Sequence, residues 1–178
     1  MHALLRSFMN WRREWKRHFR HTPLATMRIT HLYISPGHNY FGHHGQASGT
    51  APVVEVEEAA VVAGKGIEGD RFFGWKENYK GQVTFFSEEV WESRCAEFQV
   101  WDRGPGVFRR NVIVRGVDLN SLIGKEFEVQ GVRFSGTAEC SPCYWMDEAF
   151  HAGAEASLKG RGGLRARVLT DGVLRREG

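Results

Sequence analysis

From residue 27 onward, the chain alternates short apolar runs with clusters of turn residues, a pattern typical of short β-strands. Gly131 predicts a tight hairpin, and Asp171-Gly172 predicts a two-residue turn joining the last two strands. The predicted strands cover residues 29–34, 52–56, 82–86, 111–115, 127–130, 132–138, 164–170 and 173–175. We therefore expect a mainly β domain that forms a compact β-barrel, closed or distorted, because closure removes exposed strand edges.

A few short helices are expected beside these strands. Ser87 is a predicted N-cap, and Glu88 and Glu89 suit the positive end of the helix dipole that follows. The apolar stripe of this helix includes Cys95, which we expect to be a buried core thiol. A second short helix is expected over residues 144–158.

Residues 1–26 form a basic N-terminal extension ahead of the domain at residues 27–178. Apolar side chains recur there at spacings of three and four, which predicts an amphipathic helix. This helix is expected either to pack on its own domain or to contact an anionic membrane surface weakly. The extension holds six of the 24 basic residues and one of the 21 acidic residues, so the body is slightly acidic. We therefore expect no nucleic-acid partner.

The cysteine count indicates a reducing compartment. Three cysteines are too few, and odd in number, for a disulfide framework, so a cytoplasmic protein is expected. The sequence contains no uninterrupted apolar segment of the roughly 20 residues that a membrane-spanning helix needs.

Two of the cysteines form a close pair, Cys140-Ser141-Pro142-Cys143, which admits three interpretations. A thioredoxin-like dithiol would lie in a βαβ unit, but only 35 residues follow Cys143. A structural zinc site would need further ligands, for which the loop histidines His38, His43 and His44 are candidates. The third interpretation is a thiolate ligand to a soft metal.

Four segments together favour the third interpretation. They are Gly66 to Gly74 with its Gly-Asp-Arg-Phe run, residues 82–87, residues 108–114 with Asp118-Leu119, and residues 136–143. In order and spacing they resemble the MOSC family, named for the C-terminal domain of molybdenum cofactor sulfurases. The resemblance runs from about Met27 to Leu174. It implies a compact β-barrel and a link to the molybdenum–pterin cofactor.

The resemblance also implies roles for the cysteine pair. Cys143 matches the late cysteine of the family, which is the expected thiolate ligand to molybdenum. Cys140 is then a neighbouring catalytic or sulfur-relay residue, and Ser141 is a candidate donor to the cofactor.

On the other side of the expected pocket lie polar residues suited to an anionic cofactor. Arg109 resembles the anchoring arginine of the family, and a guanidinium is a planar fork of donors that fits phosphate. If residues 109–111 are extended, Asn111 lies on the same face as Arg109 and becomes its partner. Arg71 resembles a second arginine near the pterin, with Asp70 beside it, and Gly69 would permit close backbone approach.

Two further contacts are less specific. Ser87, at a helix N-terminus, is a candidate donor to an anion, although capping alone explains it. His38 ends the segment Ser35-Pro36-Gly37-His38, which resembles the barrel entrance of the family's amidoxime reductases, where Lys-Ser stands instead. His38 is a candidate proton donor, as are His43 and His44.

The expected function is that of a molybdenum-cofactor-dependent oxidoreductase acting on N-hydroxylated substrates, similar to the mitochondrial amidoxime-reducing component. Such an enzyme would need a separate electron-transfer reductase, because the sequence has no flavin or nicotinamide fingerprint. The alternative is a sulfur carrier that takes persulfide sulfur from a cysteine desulfurase and delivers it to a metal–sulfur centre. The family is also associated with pyridoxal phosphate, but the lyase module that binds it is absent from the sequence.

Overall fold

The computed structural model describes residues 27–177, except Gly42 and His44. The predicted amphipathic helix of residues 1–26 lies outside this part of the chain, as does His44. Everything below concerns the described residues.

These residues form two β-sheets with short helices packed beside them. The larger sheet has seven strands in the order β2-β1-β6-β5-β9-β8-β7, and the smaller has the order β10-β3-β4. The strands are β1 (Arg28–Ile34), β2 (Val54–Glu55), β3 (Glu58–Val62), β4 (Gly66–Ile67), β5 (Val83–Ser87), β6 (Val112–Arg115), β7 (Glu126–Val129), β8 (Val132–Glu139), β9 (Leu164–Val168) and β10 (Gly172–Arg175). The helices are α1 (Glu88–Phe98), α2 (Trp145–Ala149) and α3 (Ala154–Ser157), with short 3-10 helices at Pro105–Phe108 and Leu119–Leu122.

The mainly β prediction is confirmed, but the closed barrel is not. The larger sheet ends at β2 and β7, and these two strands do not pair with each other among the described residues. Pairing between neighbours is antiparallel except for β5 and β6, which run parallel.

The central strands are buried on both faces, which explains their continuous apolar runs. Successive side chains point to opposite faces of a strand. Phe85 belongs to the core between the two sheets, whereas Phe86 belongs to the core beneath the helices. Val112 and Ile113 divide between the same two cores. The domain is therefore three layers deep, with the larger sheet in the middle.

The predicted hairpin turn at Asp171-Gly172 is wrong. The strand β10 pairs with β3, with Gly172 opposite Val61, and not with β9. Neither Asp171 nor Gly172 has the positive φ that a type I′ turn requires. Instead, the Asp171 carboxylate accepts from the Ala63 backbone N–H at 2.7 Å, which ties this corner to the smaller sheet.

Other local predictions are confirmed or revised. Gln130 and Gly131 both have positive φ, and they form the tight turn between β7 and β8. The Ser87 hydroxyl accepts from the Val90 backbone N–H at 3.1 Å and caps α1, in which Cys95 is fully buried. The single helix predicted over residues 144–158 is two short helices, because the chain turns at Gly153 with φ +91°.

The fold brings two loops together where β1 ends and β6 begins. These strands are antiparallel neighbours, and the Tyr33 backbone N–H donates to the Asn111 carbonyl at 2.7 Å. The segment after β8 joins them through Arg110, whose guanidinium donates to the carbonyls of Cys140 at 2.9 Å and Gly162 at 3.0 Å. Arg110 is itself buried, so it acts as a structural clamp between these segments.

Candidate functional site

A cavity of about 140 Å³ lies where these segments meet. Four stretches of chain line it, at residues 38–41, 71–72, 108–110 and 143–146. Four residues singled out from the sequence share it, namely His38, Arg71, Arg109 and Cys143. Residues that are up to 105 positions apart along the chain therefore reach one small volume.

Arg109 is buried and held in an uncommon backbone conformation. Its φ of 54° lies in the left-handed region, which a bulky residue seldom adopts. The guanidinium donates to the Gly37 carbonyl at 2.7 Å and lies 5.7 Å from the centre of the Tyr40 ring. The expectation that residues 109–111 are extended is wrong, because β6 begins only at Val112. Such an outlier beside a cavity is typical of residues positioned for binding.

Asp70 does not line the cavity, but its hydrogen bonds hold together the segments that do. Its buried carboxylate accepts from the Ser35 N–H at 3.1 Å, the Phe72 N–H at 3.1 Å and the Asn111 side-chain amide at 2.9 Å. Arg71 adds a contact at 3.4 Å. One carboxylate thus joins the end of β1, the Gly-Asp-Arg segment and the approach to β6.

Asn111 and Gly69 have structural partners as well. The side-chain oxygen of Asn111 accepts from both the backbone and the hydroxyl of Thr84, at 3.1 and 2.8 Å. Gly69 has a φ of +79°, which glycine adopts without strain. The structure therefore gives these two residues and Asp70 positioning contacts, and their predicted cofactor contacts stay predictions.

The lining of the cavity is cationic. Burial lowers the pKa of Arg71, and burial together with the charge on Arg71 lowers the pKa of Arg109. Arg110 contributes a third guanidinium, while no carboxylate side chain lines the cavity in the described part of the chain. Because arginine remains protonated at neutral pH, an anion placed here would offset this unfavourable charge.

His38 lines the cavity and lies among aromatic rings. Its ring is edge-on to Phe72 at 5.0 Å and to Trp75 at 5.1 Å between centroids. Burial and the charge on Arg71 lower the pKa of His38, so the imidazole is largely neutral at pH 7. A lowered pKa makes the protonated form a stronger acid but a rarer one, and the proton-donor role stays a prediction.

The two cysteines of the close pair have different surroundings. Cys143 is exposed and lines the cavity, whereas Cys140 is buried and does not. The backbone of Cys140 is fixed by Gly163 and Arg110, and its side chain is near enough to Arg165 to raise the pKa of that arginine. The pair is therefore asymmetric, with only Cys143 open to a bound group.

Two predicted residues lie away from the cavity. Ser141 is exposed and outside the lining. Ser87 lies beside Val114, towards the opposite end of β6 from Arg109, and it lines a separate cavity of about 250 Å³. The structure therefore does not bring Ser87 together with the arginines.

Comparison with known proteins identifies the family. A family model described as the MOSC domain matches residues 69–177. The chain belongs to the MOSC family. The match covers the Gly-Asp-Arg segment, the arginines and the cysteine pair, and it leaves out the segment that carries His38.

Solved structures share the MOSC fold of this chain. It is similar to YuaD from Bacillus subtilis, with 18% identity and a TM-score of 0.66 over 84% of this chain and 91% of that one. It is also similar to YiiM from Geobacillus stearothermophilus, with 14% identity and a TM-score of 0.61 over 84% and 71% of the two chains. YiiM from Escherichia coli gives 17% identity and a TM-score of 0.57 over 83% and 65%. A search of curated proteins gives no significant match.

In the described part of the chain, the MOSC cysteines have no further metal ligands grouped around them. Within residues 27–41, 43 and 45–177, no three His, Cys, Asp or Glu side chains are grouped so that they could hold a metal ion. The zinc interpretation therefore has no support among these residues. In the same part of the chain, no helix is long and apolar enough to cross a bilayer.

The sequence did not reveal the aromatic walls of this MOSC cavity. Trp145 stacks on Tyr40 with ring centroids 3.6 Å apart, and both residues line the cavity. Trp145 follows Cys143 by two residues, but aromatic residues are common in cores, so the pattern alone does not distinguish a cavity wall. Their convergence depends on the loop at residues 38–41 folding over α2.

Proposed function

We propose that this MOSC protein binds the molybdenum cofactor in the 140 Å³ cavity, with Cys143 as the protein ligand to molybdenum, and that it reduces N-hydroxylated substrates. The observation that carries the proposal is one exposed thiol in a cavity with a cationic lining. A soft thiolate suits molybdenum, and guanidinium groups suit the phosphate of the pterin.

The polar groups of the cavity support this fit. Arg71 and Arg109 carry charge that burial makes unfavourable in the absence of an anion. The Nε2 atom of His38 and the Nε1 atom of Trp145 are buried and have no hydrogen-bond partner. A cavity with unsatisfied polar atoms and excess positive charge suits an acceptor-rich anionic ligand.

The residues of the chain would divide the work as follows. Arg71 and Arg109 bind the anionic part of the cofactor, and Asp70 and Asn111 hold the loops that carry those arginines. Cys143 supplies the thiolate. The bound group supplies two-electron redox chemistry and a coordination position for substrate.

The surrounding side chains exclude water and move a proton. The stacked rings of Tyr40 and Trp145 close one wall of the cavity, and Phe72 closes another. His38 holds an exchangeable proton on its imidazole near the same space. Its depressed pKa favours release of that proton once the imidazolium has formed.

The reductase proposal requires an electron donor protein, for which we propose a separate reductase. A reducing cytoplasmic environment would keep Cys143 as the free thiol present in the structure. Weak membrane-surface contact through residues 1–26 is a further proposal, which concerns residues outside the described part.

A low-potential dye as electron donor tests the reductase directly. Purified protein that contains molybdopterin should oxidise the reduced dye only when an amidoxime or an N-hydroxylated base is present. Cys95→Ala is a matched control, because that thiol is buried in α1 away from the cavity. Loaded protein that never turns over either substrate would contradict the reductase proposal.

The exposure of Cys143 also favours a second candidate, a sulfur carrier. A cysteine desulfurase could reach this thiol and convert it to a persulfide, adding about 32 Da, the mass of one sulfur atom. Mass spectrometry after incubation with a desulfurase and cysteine distinguishes the two candidates. A transferable adduct on Cys143 or Cys140 supports the carrier, and its absence favours the reductase.

A further inference from the structure

Two side chains that line the cavity each carry a buried polar atom without a hydrogen-bond partner in the protein. Four buried side-chain nitrogens lack a partner in the described part of the chain, and two of them, Trp145 Nε1 and His38 Nε2, belong to side chains that line this one cavity. The other two are the Nε atoms of Arg94 and Arg133, whose terminal nitrogens are hydrogen-bonded elsewhere. An indole has a single polar atom, so Trp145 has no such compensation.

The indole of Trp145 cannot easily turn this N–H towards water. Its ring is stacked on Tyr40 at 3.6 Å, and the Tyr40 ring in turn lies under the Arg109 guanidinium at 5.7 Å. Trp145 is also the first residue of α2, so its backbone is fixed by the helix. The unsatisfied N–H is therefore held in place by the stacked Tyr40 ring and by the helix backbone.

Such a group is unfavourable for folding alone. A buried donor without a partner loses its hydrogen bond to water on folding and gains none in return. Phenylalanine would provide an aromatic ring at the same place without that cost, so packing does not explain why tryptophan stands there. Groups that destabilise the free protein but face a cavity are typical of binding sites.

The chemistry of the missing partner follows from the donors. The indole N–H only donates, and the guanidinium groups of Arg71 and Arg109 only donate. No carboxylate side chain lines the cavity among residues 27–41, 43 and 45–177. The ligand atom opposite Trp145 must therefore be a hydrogen-bond acceptor.

We propose that Trp145 is a specificity-determining residue, whose Nε1–H donates a hydrogen bond to an acceptor atom of the substrate, with His38 Nε2 as a second contact in the same cavity. The inference rests on the proposed function, because Cys143 lies on the same short segment and lines the same cavity. A substrate oxygen or ring nitrogen held near the metal ligand would satisfy the indole. A substrate with an N–H or C–H at that position would bind less tightly.

The test compares Trp145→Phe with Trp91→Phe, because Trp91 has a satisfied indole. Its Nε1 donates to the Arg103 carbonyl at 3.1 Å, and it does not line the cavity. In the ligand-free protein, Trp145→Phe should raise the melting temperature, since it removes an unpaired donor. Trp91→Phe should lower it, since it removes a made hydrogen bond. A fall in melting temperature for Trp145→Phe would overturn the proposal, because the indole would then be structural.

Kinetics and cofactor content provide the second arm. In loaded protein, Trp145→Phe should raise the KM for an N-hydroxylated base about tenfold, as expected for one neutral hydrogen bond, and change kcat little. Its molybdopterin content should equal that of the wild type. Loss of molybdopterin from this variant, or an unchanged KM, would overturn the substrate contact. If the wild type holds no molybdopterin, the proposed function fails instead, and the melting temperatures still decide whether the indole is an unsatisfied binding group.

Discussion

The Asp70 carboxylate is the group whose removal should most disturb the site without touching the cavity lining. Replacing Asp70 with alanine leaves the Ser35 N–H without its acceptor and removes one of the two acceptors of the Asn111 side-chain amide, which keeps only the Tyr33 carbonyl at 3.3 Å. Both lost hydrogen bonds are buried. It also removes the partly buried bond from the Phe72 N–H. At about 1.5 kcal/mol for each buried bond and 1 kcal/mol for the third, the loss is about 4 kcal/mol.

A loss of that size is measurable in two ways. For a chain of this length, each kcal/mol lowers the melting temperature by about 2–4 °C, so Asp70→Ala should melt about 8–16 °C lower. Urea titration should give the same free-energy difference at an unchanged slope. Asp70→Asn keeps one acceptor for the two buried donors, and its loss should be smaller, about 1–2 kcal/mol.

Asp171→Ala is the matched control for Asp70→Ala. The Asp171 carboxylate accepts one exposed backbone hydrogen bond, from Ala63, so its loss should be about 1 kcal/mol. If Asp70→Ala destabilises the protein no more than Asp171→Ala does, Asp70 does not hold the loops together and the reasoning about the site is refuted.

Three further predictions follow from single contacts. Because burial and neighbouring guanidinium groups hold the pKa of His38 below 6.5, the contribution of His38 to stability is complete above that pH and is lost on acidification. His38→Phe should therefore reduce the loss of unfolding free energy on acidification. An unchanged pH dependence would count against the lowered pKa of His38, which an NMR titration measures directly. Gly163→Ala should cost about 3 kcal/mol by urea titration, because φ is +104° and a Cβ would overlap the Phe85 carbonyl oxygen; a neutral result would contradict that contact. Ser87→Ala should lower the free energy of unfolding by about 1 kcal/mol, because the cap to the Val90 N–H is lost. It should leave the molybdopterin content unchanged, and a fall in that content would indicate that Ser87 contacts the cofactor after all.

The sequence predicted the central strands well, because they are buried on both faces and their apolar runs are continuous. It missed β3, which begins with a glutamate in an alanine-rich run, and β4, which is only two residues long. The hairpin prediction at Asp171-Gly172 was wrong because this dipeptide connects the chain to the smaller sheet and does not form a two-residue turn. A Cβ on Gly172 would lie 2.5 Å from a methyl group of Val132, so glycine is needed for close packing.

The candidate site was predictable as far as residue chemistry identifies it. Cys143, Arg71 and Arg109 were identified through the resemblance of their segments to the MOSC family, and they share one cavity with His38. The sequence did not distinguish the polar residues that line the cavity from those that support it. Asp70, for example, acts through hydrogen-bond partners up to 41 positions away. The unsatisfied N–H of Trp145 is likewise a property of packing and not of sequence.

The central claim is that Cys143 retains molybdenum in the cavity, and metal analysis of purified protein tests it most directly. Molybdenum and molybdopterin should be present in wild type and in Cys95→Ala in similar amounts. Cys143→Ser should lose most of the molybdenum while keeping a melting temperature close to that of the wild type, because the thiol is exposed. Retention of molybdenum by Cys143→Ser at the wild-type level would contradict the account.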